Sequence, residues 1–97
     1  MATRKEVRDD LNEIRFYYSK KDIFDITAKE LKSVALLEKI KKYNTAMEQA
    51  PANLFIVYVS LYMNNNTQEA LAADWDYSQQ YISYLNVKLV NYLCSQF

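Results

Sequence analysis

The sequence predicts an all-α protein of about five helices, and three observations favour this class. Two long stretches in the first half repeat apolar residues at helical spacing. In the second half, Thr67 and Ser78 stand where helix N-caps are expected. Only one run of residues favours a strand, and nothing else in the chain reads as its partner. At 97 residues the chain has the length of a single domain, 1–97, made of a helical pair in residues 1–50 and a second helical unit in residues 51–97.

The first helix is predicted from about Ala2 to Lys20. Its apolar residues recur at i, i+4, i+7 and i+11, which places them on a single stripe. This stripe consists of Val7, Leu11, Ile14 and Tyr18. Charged residues occupy the other faces, so the helix is amphipathic and packs through the stripe.

The second helix is predicted from about Ala28 to Gln49. Thr27 and Glu30 have the spacing of a capping box, in which side chains and backbone at a helix start satisfy each other's free N–H groups. Pro51 marks the end, because its ring disfavours helix at the preceding residue. The apolar stripe has the spacing of the first one and consists of Leu36, Ile40, Tyr43 and Met47.

Because the two stripes have similar spacing, two arrangements remain open. The helices could pack along each other, or they could form a seam with a second copy of the chain. Three lysines of the second helix are predicted on one face, roughly opposite its stripe: Lys32, Lys39 and Lys42. A lysine face of this kind is most often solvated, and contact with phosphate or protein is the alternative.

The run NLFIVYVSLYM, residues 53–63, is ambiguous in its composition. Its Phe, Ile, Val and Tyr favour a strand, whereas its length and its lack of strict alternation suit a buried helix. A lone strand would leave backbone groups unpaired in the core, so we expect a buried helix. The apolar part of the run is about half as long as a bilayer requires, and no membrane span is expected.

Two further helices are expected after this run. Thr67 caps a short helix of about Gln68 to Trp75, and Ser78 caps a last helix that runs to about Cys94. Counting 100° per residue from Ser78 divides the last helix into two sides. The inward side carries Ile82, Leu85, Leu89 and Leu93. The outward side is polar and nearly uncharged, and it carries Gln80, Ser83, Tyr84, Val87 and Asn91, with Gln79 and Lys88 on its flanks.

The composition disfavours several classes of function. The chain has no histidine and no glycine, which removes the commonest general base and metal ligand and the glycine-rich phosphate loops. We therefore expect neither an enzyme nor a cofactor or metal site. The single Cys94 and a charged start without a signal-peptide pattern predict a cytoplasmic protein. The net charge is zero, but eleven Lys or Arg residues oppose nine Asp or Glu residues up to Gln49, while one lysine opposes three acids after it.

The segment NTQEALAADWDYSQQYISYLNVKLVNYL, residues 66–93, resembles the helix-turn-helix of sigma-factor region 4. The start of the motif is matched by Thr67, Leu71 and Ala72, the turn by Asp76 and Tyr77, the cap by Ser78, and the final helix by Ile82, Leu85, Lys88 and Leu93. The layout of charged N-terminal helices before the motif is similar to that of small phage regulators of late genes, a group often called ArpU-like.

The resemblance implies a DNA-binding transcription regulator whose last helix enters the major groove. Carried over position by position, Gln79, Gln80, Ser83 and Tyr84 stand where the family makes its base contacts. The amide of a glutamine can pair with adenine through two hydrogen bonds, and Val87 can meet a thymine methyl group.

Two positions depart from the family pattern. Asp76 replaces the glycine that is common at the turn, which is tolerable because Asp enters left-handed conformations more readily than most residues. The recognition half has one cation, Lys88, and no arginine, although phosphate neutralisation supplies most non-specific affinity. The missing affinity would come from N-terminal lysines, from homodimerisation or from RNA polymerase.

The leading prediction is a sequence-specific regulator of phage or prophage type that reads double-stranded DNA. Its predicted contacts are Gln79, Gln80, Ser83, Tyr84, Val87 and Lys88. The alternative is a protein-interaction module with a helix-turn-helix fold that does not bind DNA by itself, because exposed Tyr84 and Val87 also suit a protein groove. Stacking of single-stranded nucleic acid on the nine tyrosines is less favoured, because Tyr18, Tyr43 and Tyr92 fall on predicted packing faces.

Overall fold

The computed structural model describes residues 2–20 and 33–97, and this part of the chain is helical throughout apart from short connections. The helices are α1 (Arg4–Ser19), α2 (Ser33–Met47), α3 (Ala52–Tyr58), a π-helical turn that continues α3 (Val59–Met63), α4 (Gln68–Trp75) and α5 (Gln79–Gln96). The predicted all-α class is confirmed. The predicted capping box of Thr27 and Glu30, the predicted first turn of the second helix and Lys32 lie outside the described residues.

Helix α1 begins at a capping box that the sequence prediction overlooked. The Thr3 hydroxyl accepts from the Glu6 N–H at 3.1 Å, and the Glu6 carboxylate accepts from the Thr3 N–H at 3.4 Å. Of the predicted stripe, Val7, Leu11 and Ile14 are fully buried, whereas Tyr18 is half-buried. Tyr17 is buried instead, with 6% of its surface exposed.

Helices α1 and α2 pack against each other within one chain. The Lys39 ammonium group lies 3.0 Å from Asp10 and 2.9 Å from Glu13, and the Tyr43 hydroxyl donates to Asp10 at 2.7 Å. The predicted stripe of α2 is buried at Ile40, Tyr43 and Met47. The prediction that Lys39 stands roughly opposite this stripe is wrong, since the side chain lies at the edge of the stripe and faces α1.

The ambiguous run 53–63 is helical, and one face of it is buried. Leu54, Val57, Tyr58, Leu61 and Tyr62 enter the core, whereas Phe55 and Ile56 are 43% and 41% exposed. The predicted buried helix is therefore amphipathic and not enclosed on all sides. The run accommodates its aromatic residues because each buried tyrosine hydroxyl has a partner: Tyr58 donates to Asn44 at 2.6 Å and Tyr62 to Asn86 at 2.5 Å.

Helix α5 lies at the centre of the molecule and contacts each of the other four helices. The predicted inward residues are all buried, and Val90, which the prediction left out, is buried with them. The helix ends at Gln96, two residues beyond the predicted end. At this end the Tyr92 hydroxyl donates to the Ala46 carbonyl at 2.8 Å. This packing leaves one side of the N-terminal half of α5 open.

Candidate nucleic-acid interface

The corner between α4 and α5 is closed by residues that the sequence singles out. The Thr67 hydroxyl accepts from the Ala70 N–H at 3.0 Å, and the Ser78 hydroxyl accepts from the Tyr81 N–H at 3.1 Å. Both side chains therefore act as N-caps, as predicted. The entry angles of α4 and α5 are fixed by local hydrogen bonds as well as by packing.

Asp76 adopts the left-handed conformation that was expected of it, with φ 57° and ψ 40°. The N–H of Tyr77 donates to the Ala72 carbonyl at 2.9 Å, and the N–H of Asp76 donates to the Ala73 carbonyl at 3.4 Å. These two bonds form a Schellman motif, which satisfies carbonyls at the end of α4 without a glycine. A sharp corner thus forms in a chain that has no glycine.

The six predicted DNA contacts are all exposed on the outward side of α5. We call this set the reading face: Gln79, Gln80, Ser83, Tyr84, Val87 and Lys88. Tyr84 is 54% exposed and Val87 38% exposed, whereas Ile82 and Leu85, on the inward side of the same helix, are buried. The side chains of the reading face are held by a helix whose opposite side is packed in the core, and such a helix positions a site more precisely than a loop does.

A row of aromatic rings borders the reading face on one flank. The ring centroids of Trp75 and Tyr77 are 6.4 Å apart, those of Tyr77 and Tyr81 4.9 Å, and those of Tyr81 and Tyr84 6.3 Å. The Lys88 Nζ atom lies 5.3 Å from the centroid of the Tyr84 ring. We call Tyr77, Tyr81 and Tyr84 the tyrosine strip. The sequence prediction did not identify it, although these three residues and Lys88 have the i, i+4, i+7, i+11 spacing of a helical stripe.

The opposite flank of the reading face lies beside α1. Asn86, on this flank of α5, accepts from the Tyr62 hydroxyl. Burial raises the pKa of this hydroxyl above its ordinary value. Arg15 also donates to the Asn66 carbonyl at 3.5 Å, next to the start of α4. Arg15 therefore lies at the start of α4, and α1 itself contacts α5.

The charge on the corner itself is unfavourable to a polyanion. Lys88 is the one cation from residue 50 onward, whereas Glu69, Asp74 and Asp76 are exposed acids on α4 and at the turn. The side chains of the reading face can form hydrogen bonds and apolar contacts but supply little charge. Affinity for DNA therefore needs cations from elsewhere in the molecule or from a partner.

Comparison of the chain with protein-family models, with curated proteins and with solved structures finds no match. Within residues 2–20 and 33–97, no helix combines the length and apolar character that a bilayer crossing requires. In the same residues no three His, Cys, Asp or Glu side chains lie close enough together to hold a metal ion. Cys94 is a half-buried free thiol.

Proposed function

We propose that the protein is a sequence-specific DNA-binding regulator that inserts the N-terminal half of α5 into the major groove. The observation that carries the proposal is the geometry of α5, whose reading face is exposed while its opposite side is buried. The major groove admits one α-helix, and residues near the start of that helix then face the base edges. The capped corner presents α5 with its first turns uncovered.

The reading face has the chemistry of base recognition. Gln79 and Gln80 carry amides that can donate and accept in the plane of an adenine, and Ser83 can bond to a base or a phosphate. Val87 offers an apolar surface to a thymine methyl group. Lys88 and the hydroxyl of Tyr84 are suited to phosphate contacts. The proposal places this regulator among those of phage or prophage type on the strength of the sequence resemblance.

RNA polymerase and a second copy of the chain remain the proposed sources of further affinity. A single corner with one cation is expected to bind a duplex weakly. Dimerisation would double the contacts with a palindromic site, and polymerase would hold the regulator at its promoter. The protein is proposed to act in the cytoplasm, where both DNA and polymerase are present.

The proposal is tested by selection from a library of random duplexes with the purified chain. Selected duplexes are then measured by fluorescence anisotropy at several salt concentrations, with a shuffled duplex as the control. We expect a shared sequence motif, and tighter binding of the selected duplexes than of the shuffled one by about 10³-fold or more. Recovery of no motif, together with no binding at low salt, would contradict the proposal.

A protein-interaction module is the second candidate, and the tyrosine strip favours it. Exposed aromatic rings are enriched at the centres of protein interfaces, and Asp74 and Asp76 beside the strip repel DNA. Capture of RNA polymerase that is lost in a Tyr81→Ala variant but retained in Gln80→Ala would favour this function. Duplex binding that is lost in Gln80→Ala but retained in Tyr81→Ala would favour DNA recognition.

A further inference from the structure

Six of the eight charged residues of α1 are sorted onto two sides of the helix, and the other two, Lys5 and Asp9, pair with each other on its exposed side. At 100° per residue, Arg4, Arg8 and Arg15 fall within about 40° of one another, and the acids Glu6, Asp10 and Glu13 fall within about 60° on the other side of the buried stripe. The two sides border Val7, Leu11 and Ile14, which enter the core. Helix α1 therefore presents an arginine row and an acidic row to different neighbours.

Two acids of the acidic row are paired within the chain, whereas the arginines have no carboxylate partner among residues 2–20 and 33–97. Lys39 of α2 forms ion pairs with Asp10 and Glu13. In the part of the chain that the structure describes, no carboxylate forms an ion pair with Arg4, Arg8 or Arg15. Arg4 and Arg8 are exposed. Solvent therefore reaches both of these side chains.

The arginine row lies on the side of α1 that faces the helix corner. Arg15 bonds to the Asn66 carbonyl, one residue before the cap of α4. Helix α1 packs against the π-helical turn, and Tyr62 of this turn bonds to Asn86 of α5. The row is thus on the Asn86 flank of the reading face, opposite the tyrosine strip. If α5 lies in the major groove of a duplex, the sugar–phosphate backbone at the edge of that groove runs along one of these flanks.

We infer that the arginine row of α1 binds the phosphate backbone of the duplex that α5 reads. This inference rests on the proposed function and supplies the cations that the corner lacks. The sequence pointed to N-terminal lysines for this role. Lys39 is engaged with two carboxylates and Lys5 with Asp9, whereas Arg4 and Arg8 are exposed and form no ion pair with the described residues, so these two arginines are the better candidates. Guanidinium groups also match phosphate geometry through paired N–H donors.

The test is the salt dependence of duplex binding by the double variant Arg4→Gln, Arg8→Gln. We expect the slope of log affinity against log salt to become shallower by about one for each lost phosphate contact. Binding to selected and shuffled duplexes should fall together, leaving their ratio unchanged, because phosphates carry no sequence information. Lys41→Gln, on the exposed side of α2, is the control for loss of charge, and its slope should stay near that of the unmodified chain.

The outcomes separate this inference from the function on which it rests. An unchanged slope in the double variant, with duplex binding still weakened by Gln80→Ala, overturns the arginine contact and leaves DNA reading in place. No duplex binding by the unmodified chain overturns both. If the double variant keeps its duplex binding but loses capture of RNA polymerase, the row is a protein contact and the inference is wrong. Circular dichroism of both variants confirms that the fold is retained.

Discussion

The Tyr62 hydroxyl donates a 2.5 Å hydrogen bond to Asn86 Oδ1, which joins the π-helical turn to α5 beside the reading face. Tyr62 is buried and Asn86 is half-buried, so removal of the hydroxyl leaves the amide oxygen short of a partner. We expect Tyr62→Phe to lower the free energy of unfolding by about 1–3 kcal/mol. Urea titration measures this change. Tyr77→Phe, at an exposed ring, is the matched control and should change stability by less than about 0.5 kcal/mol.

The two sides of α5 should respond differently to truncation. Leu85 is 2% exposed and Val87 38% exposed, although the two residues are less than one turn apart on the same helix. Leu85→Ala should cost about 2–5 kcal/mol, because it removes a core side chain and leaves a cavity. Val87→Ala should stay within about 0.5–1 kcal/mol and fold normally. Equal losses of stability in the two variants would mean that α5 is not oriented as described.

Asp76 controls the corner through its backbone conformation. A β-branched residue is sterically disfavoured at positive φ, so Asp76→Val should destabilise the protein by about 1–2 kcal/mol. Asp76→Gly should be as stable as the unmodified chain or more so, because glycine adopts this conformation freely. Asp74→Val, an exposed helical position with similar helix propensities for both residues, is the control for the change in side chain. Thermal melts of the three variants compare their stabilities, and an Asp76→Val variant that melts like the Asp74→Val control would contradict the account.

The buried tyrosines predict a loss of stability at alkaline pH. Burial raises the pKa of Tyr58 above its ordinary value of 10.0, so the hydroxyl keeps its proton in the folded chain when the unfolded chain has lost it. The contribution of Tyr58 is fully present below the unfolded pKa and is lost as the pH rises from that value toward the folded pKa. The slope for one such group approaches about 1.4 kcal/mol per pH unit.

Urea titrations from about pH 8 to about pH 11.5, a range that spans the ordinary tyrosine pKa, measure this loss. Tyr58→Phe removes the titrating hydroxyl together with its bond to Asn44, so the variant is less stable at neutral pH but less sensitive to alkali. Parallel pH profiles for the variant and the unmodified chain would show that Tyr58 does not contribute to the alkaline loss.

Local signals in the sequence were sufficient to predict the helix corner between α4 and α5. The caps at Thr67 and Ser78 depend on side chains that bond to N–H groups three residues ahead, and the tolerance of Asp76 for positive φ is a property of the residue itself. The inward side of α5 follows from helical periodicity. These features need no knowledge of the rest of the fold.

The features that the sequence analysis missed depend on which helices meet. Lys39 faces α1 because two carboxylates lie there. The π-helical turn and the left-handed Asn65 that follows it change the chain direction before α4, and no periodicity indicates them. The contact of Arg15 with Asn66 at the start of α4 likewise emerges only from tertiary packing.

The central claim is that the exposed side of α5 reads DNA bases. It is tested most directly by duplex binding of Gln80→Ala and Ser83→Ala, with Gln96→Ala at the exposed end of the same helix as the control. Anisotropy with a selected duplex should show a loss of about 1–3 kcal/mol for Gln80→Ala, with relaxed preference at one base position, and no loss for the control. Folded variants at Gln80 and Ser83 that bind the selected duplex as tightly and as selectively as the unmodified chain would contradict the claim.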